Sequence, residues 1–179
     1  SDESHDYTGQ DIDEVCAQLA KAGVYPLVYS AVSDAYERGC IISQAQDGQS
    51  FIFTVSAGPP VDRVIFEDAG LEKITKYLLG IPPNENVSSK QMEALTALDA
   101  YEDSGVQNMA SLSGLEYAVN LDTLCFHNCS IKDISPIKNL GRLEQLRMYT
   151  SEISDISGLA RLRNLKTLNI DENYITDIS

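Results

Sequence analysis

The chain has 179 residues, 43% of them apolar, and a formal net charge of −14. That length allows one or two domains with enough apolar material for a core. The charge excludes the basic stripe of a nucleic-acid binder and docking on anionic lipid. Spread along the chain, it reads as solubility rather than as an acidic binding tail. No run approaches the roughly 18 apolar residues that span a bilayer.

Residues Ser1 to Gln10 are polar and resemble neither a signal nor a transit peptide. Residues 1–7, His5 among them, are expected to be a disordered lead. An exported protein would have lost its signal. A helix follows over 11–22, with Ile12, Val15, Cys16 and Leu19 at helical spacing and Gly23 as its stop. Strands are expected at Tyr25–Ser30, Cys40–Gln44 and Phe51–Ser56, the last presenting Phe51, Phe53 and Val55 on one face. Asp47-Gly48 marks a hairpin turn, and Gly58-Pro59-Pro60 a stop and linker. One helix on a small sheet in so few residues lies near the lower limit of independent stability.

A second helix carries Leu71, Ile74 and Leu78 on one face and ends near Gly80, before Pro82-Pro83. Ser88-Ser89 can cap a third, with Met92, Leu95 and Leu98 as its apolar stripe. Beyond it, apolar columns recur every 22 residues: Leu112, Ile134, Ile156 and Ile178; Met109, Ile131, Ile153 and Ile175; Leu121, Leu143 and Leu165; Leu124, Leu146 and Leu168; Phe126, Met148 and Ile170. A tripeptide Asp-Ile-Ser returns at Asp133, Asp155 and Asp177. A period of about 20–29 residues with this spacing is the leucine-rich-repeat signature.

Two family resemblances overlay this reading. Asp11-Ile12-Asp13-Glu14-Val15, Gly39-Cys40-Ile41-Ile42-Ser43-Gln44 and Val55-Ser56-Ala57-Gly58-Pro59 make residues 8–60 resemble a PASTA domain of bacterial cell-wall proteins. Tyr7-Thr8-Gly9 replaces its Val-Pro opening, and the stretch from Gln44 to Phe51 is short. Val64 to Glu72, Leu95 to Asp99 and Ser113 to Leu121 resemble the helical cap and first repeat of internalin-like bacterial surface proteins. The expected fold is an α+β PASTA-like module over 8–60, a helical cap over 61–95, and an α/β leucine-rich-repeat solenoid over 96–179.

Within each repeat, Leu-x-x-Leu-x-apolar forms a short strand, so alternate residues face outward on a concave sheet. The expected binding grid is Thr123, Cys125 and His127; Gln145, Arg147 and Tyr149; Thr167, Asn169 and Asp171. It is polar, mixed in charge and suited to a protein or glycan partner. Cys129, Ser151 and Asn173 occupy the position where the family satisfies bent backbone between coils. The Asp-Ile-Ser carboxylates are expected to cap nearby backbone N–H groups rather than to hold calcium.

Other chemistry is declined. Cys125-x-His127-x-Cys129 suggests zinc, but the repeat turns Cys129 inward and leaves two ligands. A Cys125–His127 nucleophile pair lacks an orienting acid and an oxyanion donor. No phosphate-binding glycine loop occurs, and no cofactor or metal is expected. Cys16 is expected as a core thiol, a Cys16–Cys40 disulfide being the other reading. Tyr25, Tyr29 and Tyr36 are expected as half-buried packing, sugar stacking being the alternative. The chain ends at Ser179 within a fourth phase, leaving Ile170, Ile175 and Ile178 near an open end. A fragment of a longer protein is favoured over self-association there.

The implied function is non-catalytic binding at a Gram-positive bacterial surface through the concave face. The alternative is peptidoglycan binding or sensing through residues 8–60. Location and ligands come from the resemblances alone.

Overall fold

A computed structural model describes residues 5–47, 50–100 and 108–178. The expected Asp47-Gly48 turn falls partly outside the described residues, as do residues 1–4 of the expected lead. Helix α1 spans Ile12–Lys21 and buries Ile12, Val15 and Leu19, each contributing roughly 1.5–3 kcal/mol by apolar burial. The Asp11 carboxylate accepts from the backbone N–H groups of Asp13 and Glu14 and fixes its start. Strands β1 (Leu27–Ala31), β2 (Ile41–Asp47) and β3 (Ser50–Ser56) form a sheet in the order β1-β3-β2. β1 runs parallel to β3, and β2 antiparallel to it.

Tyr7 corrects the expectation of a disordered lead at that position. Its ring is buried edge-on against Phe51 and Phe53, and its N–H donates to Gln44 Oε1 over 2.8 Å. An aromatic ring outside any periodic run can still supply a wall of the core. Cys16 is half-buried rather than fully in the core, and both Cys16 and Cys40 are free thiols.

Helix α2 spans Ala69–Leu79, capped by Asp68 and closed by Gly80 at φ 66°. It buries Leu71, Ile74 and Thr75, whereas Leu78 is 41% exposed. The buried face is thus rotated toward Thr75, away from the expected Leu78. Helix α3 is shorter than expected, Ser89–Met92, with a Ser88–Gln91 capping box. Met92, Leu95 and Leu98 are all buried, but Leu98 belongs to strand β4 (Ala97–Ala100).

β4 opens a parallel sheet completed by β5 (Thr123–His127), β6 (Gln145–Tyr149) and β7 (Thr167–Asn169). The 22-residue period becomes its register: Leu124 pairs with Leu146, which pairs with Leu168. Short 3-10 segments at Leu115–Tyr117, Ser135–Ile137 and Ser157–Arg161 turn the chain back. Stacking buries this column until the last coil: Leu124 is 0% exposed and Leu146 1%, but Leu168, in the last coil, is 46% exposed.

Asp133 accepts from the backbone N–H and hydroxyl of Ser135, and Asp155 from the N–H of Ser157. These are the carboxylate caps the tripeptide implied. Asn128, Thr150 and Glu172, one per coil just past each strand, adopt positive φ.

Candidate interaction surface

The outer face of the β4–β7 sheet carries the expected grid. Thr123, His127, Gln145, Arg147, Tyr149, Thr167 and Asn169 are half-buried, and Asp171 is exposed. The His127 and Tyr149 rings lie 4.7 Å apart at 32°. Cys125 departs from expectation, at only 2% exposed. Register places Asp99 on one side of it and Arg147 on the other, so a short thiol sits between longer side chains. Burial first, then the Asp99 carboxylate, raises its pKa, with Arg147 opposing. It lines the floor of the face rather than its contact surface.

The position between coils is satisfied unevenly. Asn173 donates from Nδ2 to the carbonyls of Met148 and Ile170, each over 2.8 Å, and accepts from the Ile153 N–H. Cys129 makes a long contact to the His127 carbonyl, at 3.5 Å, and a hydrogen bond with the Met109 backbone. Burial pushes its thiol up to about 11. Ser151 Oγ is buried with no partner among the described residues, contrary to the expectation that all three side chains serve the backbone. Its single-carbon stem lacks the reach and the second donor of asparagine.

The N-terminal unit docks on the flank of the coils, a contact absent from the sequence reading. Ser30 Oγ donates to the Asn139 carbonyl over 2.7 Å, and Asn164 Nδ2 to the Tyr29 hydroxyl over 3.1 Å. Asp13 accepts from Lys138 at 2.8 Å and pairs with Arg161 at 2.5 Å. Arg38 pairs with Glu116, donates to the Tyr117 hydroxyl and lies 4.9 Å over the Tyr117 ring. β1, the edge strand beside β3, thereby meets the coils through Tyr29 and Ser30. A polar cleft of about 530 Å³ remains between Asp11, Arg38 and Lys138. Two ion pairs, Arg38 with Glu116 and Lys138 with Asp13, lie within it.

Among the described residues, no group of three or more His, Cys, Asp or Glu side chains is placed to hold a metal. Nor is any helix long and apolar enough to cross a membrane.

Residues 119–161 match the family of Leucine Rich repeats (2 copies). Among solved structures, an internalin from Listeria monocytogenes aligns at 36% identity and TM-score 0.58 over 64% of this chain. The chain spans only 33% of that internalin's length. The CBM51-2 and INT domains of ZmpB from Clostridium perfringens align at 26% identity, TM-score 0.44, over 51% of this chain and 18% of that one. An internalin C2 from Listeria monocytogenes aligns at 18% identity, TM-score 0.39, over 64% and 88%. A search of the curated proteins returns no match. The chain thus carries leucine-rich repeats and is internalin-like over the part that aligns.

Proposed function

We propose that the outer face of the β4–β7 sheet binds a protein partner at a bacterial surface. The observation that carries this reading is the position of the N-terminal unit. Its polar contacts to the coils fall on residues 116–117, 138–139 and 161–164, outside the strands. The tilted His127–Tyr149 pair beside Arg147 is therefore left uncovered by that unit, and tyrosine and arginine are among the side chains that most often dominate protein interfaces. The likeness to an internalin supports the same role. Residues 61–95, with α2 and α3, serve as the cap of the repeat stack.

The role is binding rather than catalysis. Both thiols near His127 have raised pKa values, which leaves little thiolate for nucleophilic attack.

Replacing Tyr149 with a benzophenone amino acid tests the face against extracellular protein extracts, with Tyr77, 81% exposed on α2, as the control position. Position 149 is expected to give one saturable crosslinked protein that Arg147→Glu abolishes. Equal crosslinking from both positions, unchanged by Arg147→Glu, would remove the face from consideration.

A second reading keeps residues 8–60 as a PASTA-like wall anchor. The succession α1, β1, β2, β3 favours it, since one helix and three strands occur in the order the resemblance implies. Co-sedimentation of the whole chain with purified peptidoglycan, undiminished by Arg147→Glu, is its expected result.

A further inference from the structure

The middle coil breaks its own repeat at one position. Val119-Asn120 and Arg163-Asn164 flank it at the 22-residue spacing, and between them stands Gly141-Arg142. The flanking asparagines tie coil to coil: Asn120 Nδ2 donates to the Glu93 carbonyl over 2.8 Å, and Asn164 Nδ2 to the Gly141 carbonyl over 2.6 Å. Arg142 makes no such tie. It is exposed, and among the described residues it has neither a hydrogen-bond nor an ion-pair partner.

Gly141 has a structural reason, the close approach of the Val28 carbonyl, but Arg142 has none within the fold. It instead lines both of two adjoining grooves, about 740 and 510 Å³, where β1 meets the strand-entry ridge of the coils. Tyr29 and Asn120 line both grooves as well. Asp122 and Glu144 lie in the larger one.

We propose that this groove, shared by the N-terminal unit and the coils, binds a neutral oligosaccharide. Its walls offer donors and acceptors together. Arg142 supplies a planar fork of N–H donors. Asn120 spends its amide nitrogen on Glu93 and keeps its oxygen free as an acceptor. Asp122 accepts from the Thr123 hydroxyl through one oxygen and retains the other. The half-exposed Tyr29 adds an aromatic ring with an apolar face. A sugar hydroxyl donates and accepts at once, so it matches such a mixture. A free carboxylate or phosphate suits it less, because the Asp122 carboxylate in the same groove repels an anion, as does Glu144 in part, its charge being shared with Lys166. An apolar ligand would strand the polar groups without partners. This groove is separate from the outer face of the sheet and stands independently of the function proposed for that face.

Amide shifts of the whole protein, titrated with cellotetraose, maltotetraose and chitotetraose and, for contrast, with tetraglutamate, test the assignment. Saturable shifts at Tyr29, Asn120 and Asp122 with at least one tetrasaccharide are expected. Arg142→Asn, which restores the residue of the flanking coils, is expected to weaken that binding at least about tenfold with no fall in Tm. Arg147→Glu, on the outer face, is expected to leave it unchanged. Silence with all three sugars, binding of tetraglutamate alone, or equal sugar affinity in Arg142→Asn would each overturn the proposal.

Discussion

The backbone carbonyl of Val28 rests against the α-carbon of Gly141: a Cβ placed on that glycine would lie 1.6 Å from the Val28 oxygen. Val28 sits in β1 and Gly141 in the loop leading to β6, so this approach joins the two units by backbone. Flexible side chains can move aside, but a strand carbonyl held in a parallel ladder cannot.

Gly141→Ala is therefore expected to separate the N-terminal unit from the coils while leaving the 22-residue stack folded. Limited proteolysis near the exposed Pro59-Pro60 is the direct readout, and cleavage should speed up markedly. Gly158→Ala is the matched control, since its Cβ would meet only the Lys138 Cβ at 3.2 Å. Equal protection of Gly141→Ala and the parent chain would show that β1 docks without this contact.

The apolar columns were legible because burial in a stack repeats with the sequence: each column residue meets its equivalent one coil away. Strand positions and outward residues followed from the same period. Three things were not legible. Cys125 alternates outward like Arg147, and only the bulk of its neighbours across the ladder buries it. Tyr7 belongs to no periodic run, so nothing local marks it as core. The docking of the two units depends on a carbonyl meeting a glycine, which hydrophobic patterning does not register. The column itself gives no warning, because Val119, Gly141 and Arg163 differ from coil to coil and no residue type is kept there.

Ser151 and Asn173 stand at equivalent positions with opposite outcomes. Asn173 ties the carbonyls of Met148 and Ile170 to the N–H of Ile153, while Ser151 Oγ is buried and unpartnered among the described residues. Ser151→Asn is expected to raise stability by about 1–2 kcal/mol, from new backbone bonds and the removal of an orphaned hydroxyl. Ser151→Ala should cost less than about 0.5 kcal/mol, because no bond is lost. Urea midpoints of the two variants check both values. A large loss in Ser151→Ala would mean that the hydroxyl is bonded in solution.

Asp13 joins the units electrostatically, and pH reaches that contact. Burial works to raise its pKa, but the hydrogen bonds and charges of Lys138 and Arg161 outweigh it, and the carboxyl titrates below its ordinary value. A carboxylate whose folded pKa lies below its unfolded value of about 3.9 stabilises the fold at higher pH. That contribution is present above the unfolded pKa and is lost as pH falls through the folded one. Because Asp13 is half exposed, solvent and salt weaken the pair, and the effect is modest at high ionic strength. Asp13→Asn is expected to lower the urea midpoint at pH 6 and to match the parent chain near pH 2, with the gap at pH 6 shrinking in concentrated salt. A gap that persists unchanged through the acid range would assign the Asp13 contribution to packing or neutral hydrogen bonding, since only an ionised carboxylate loses its pairing with Lys138 and Arg161 on protonation.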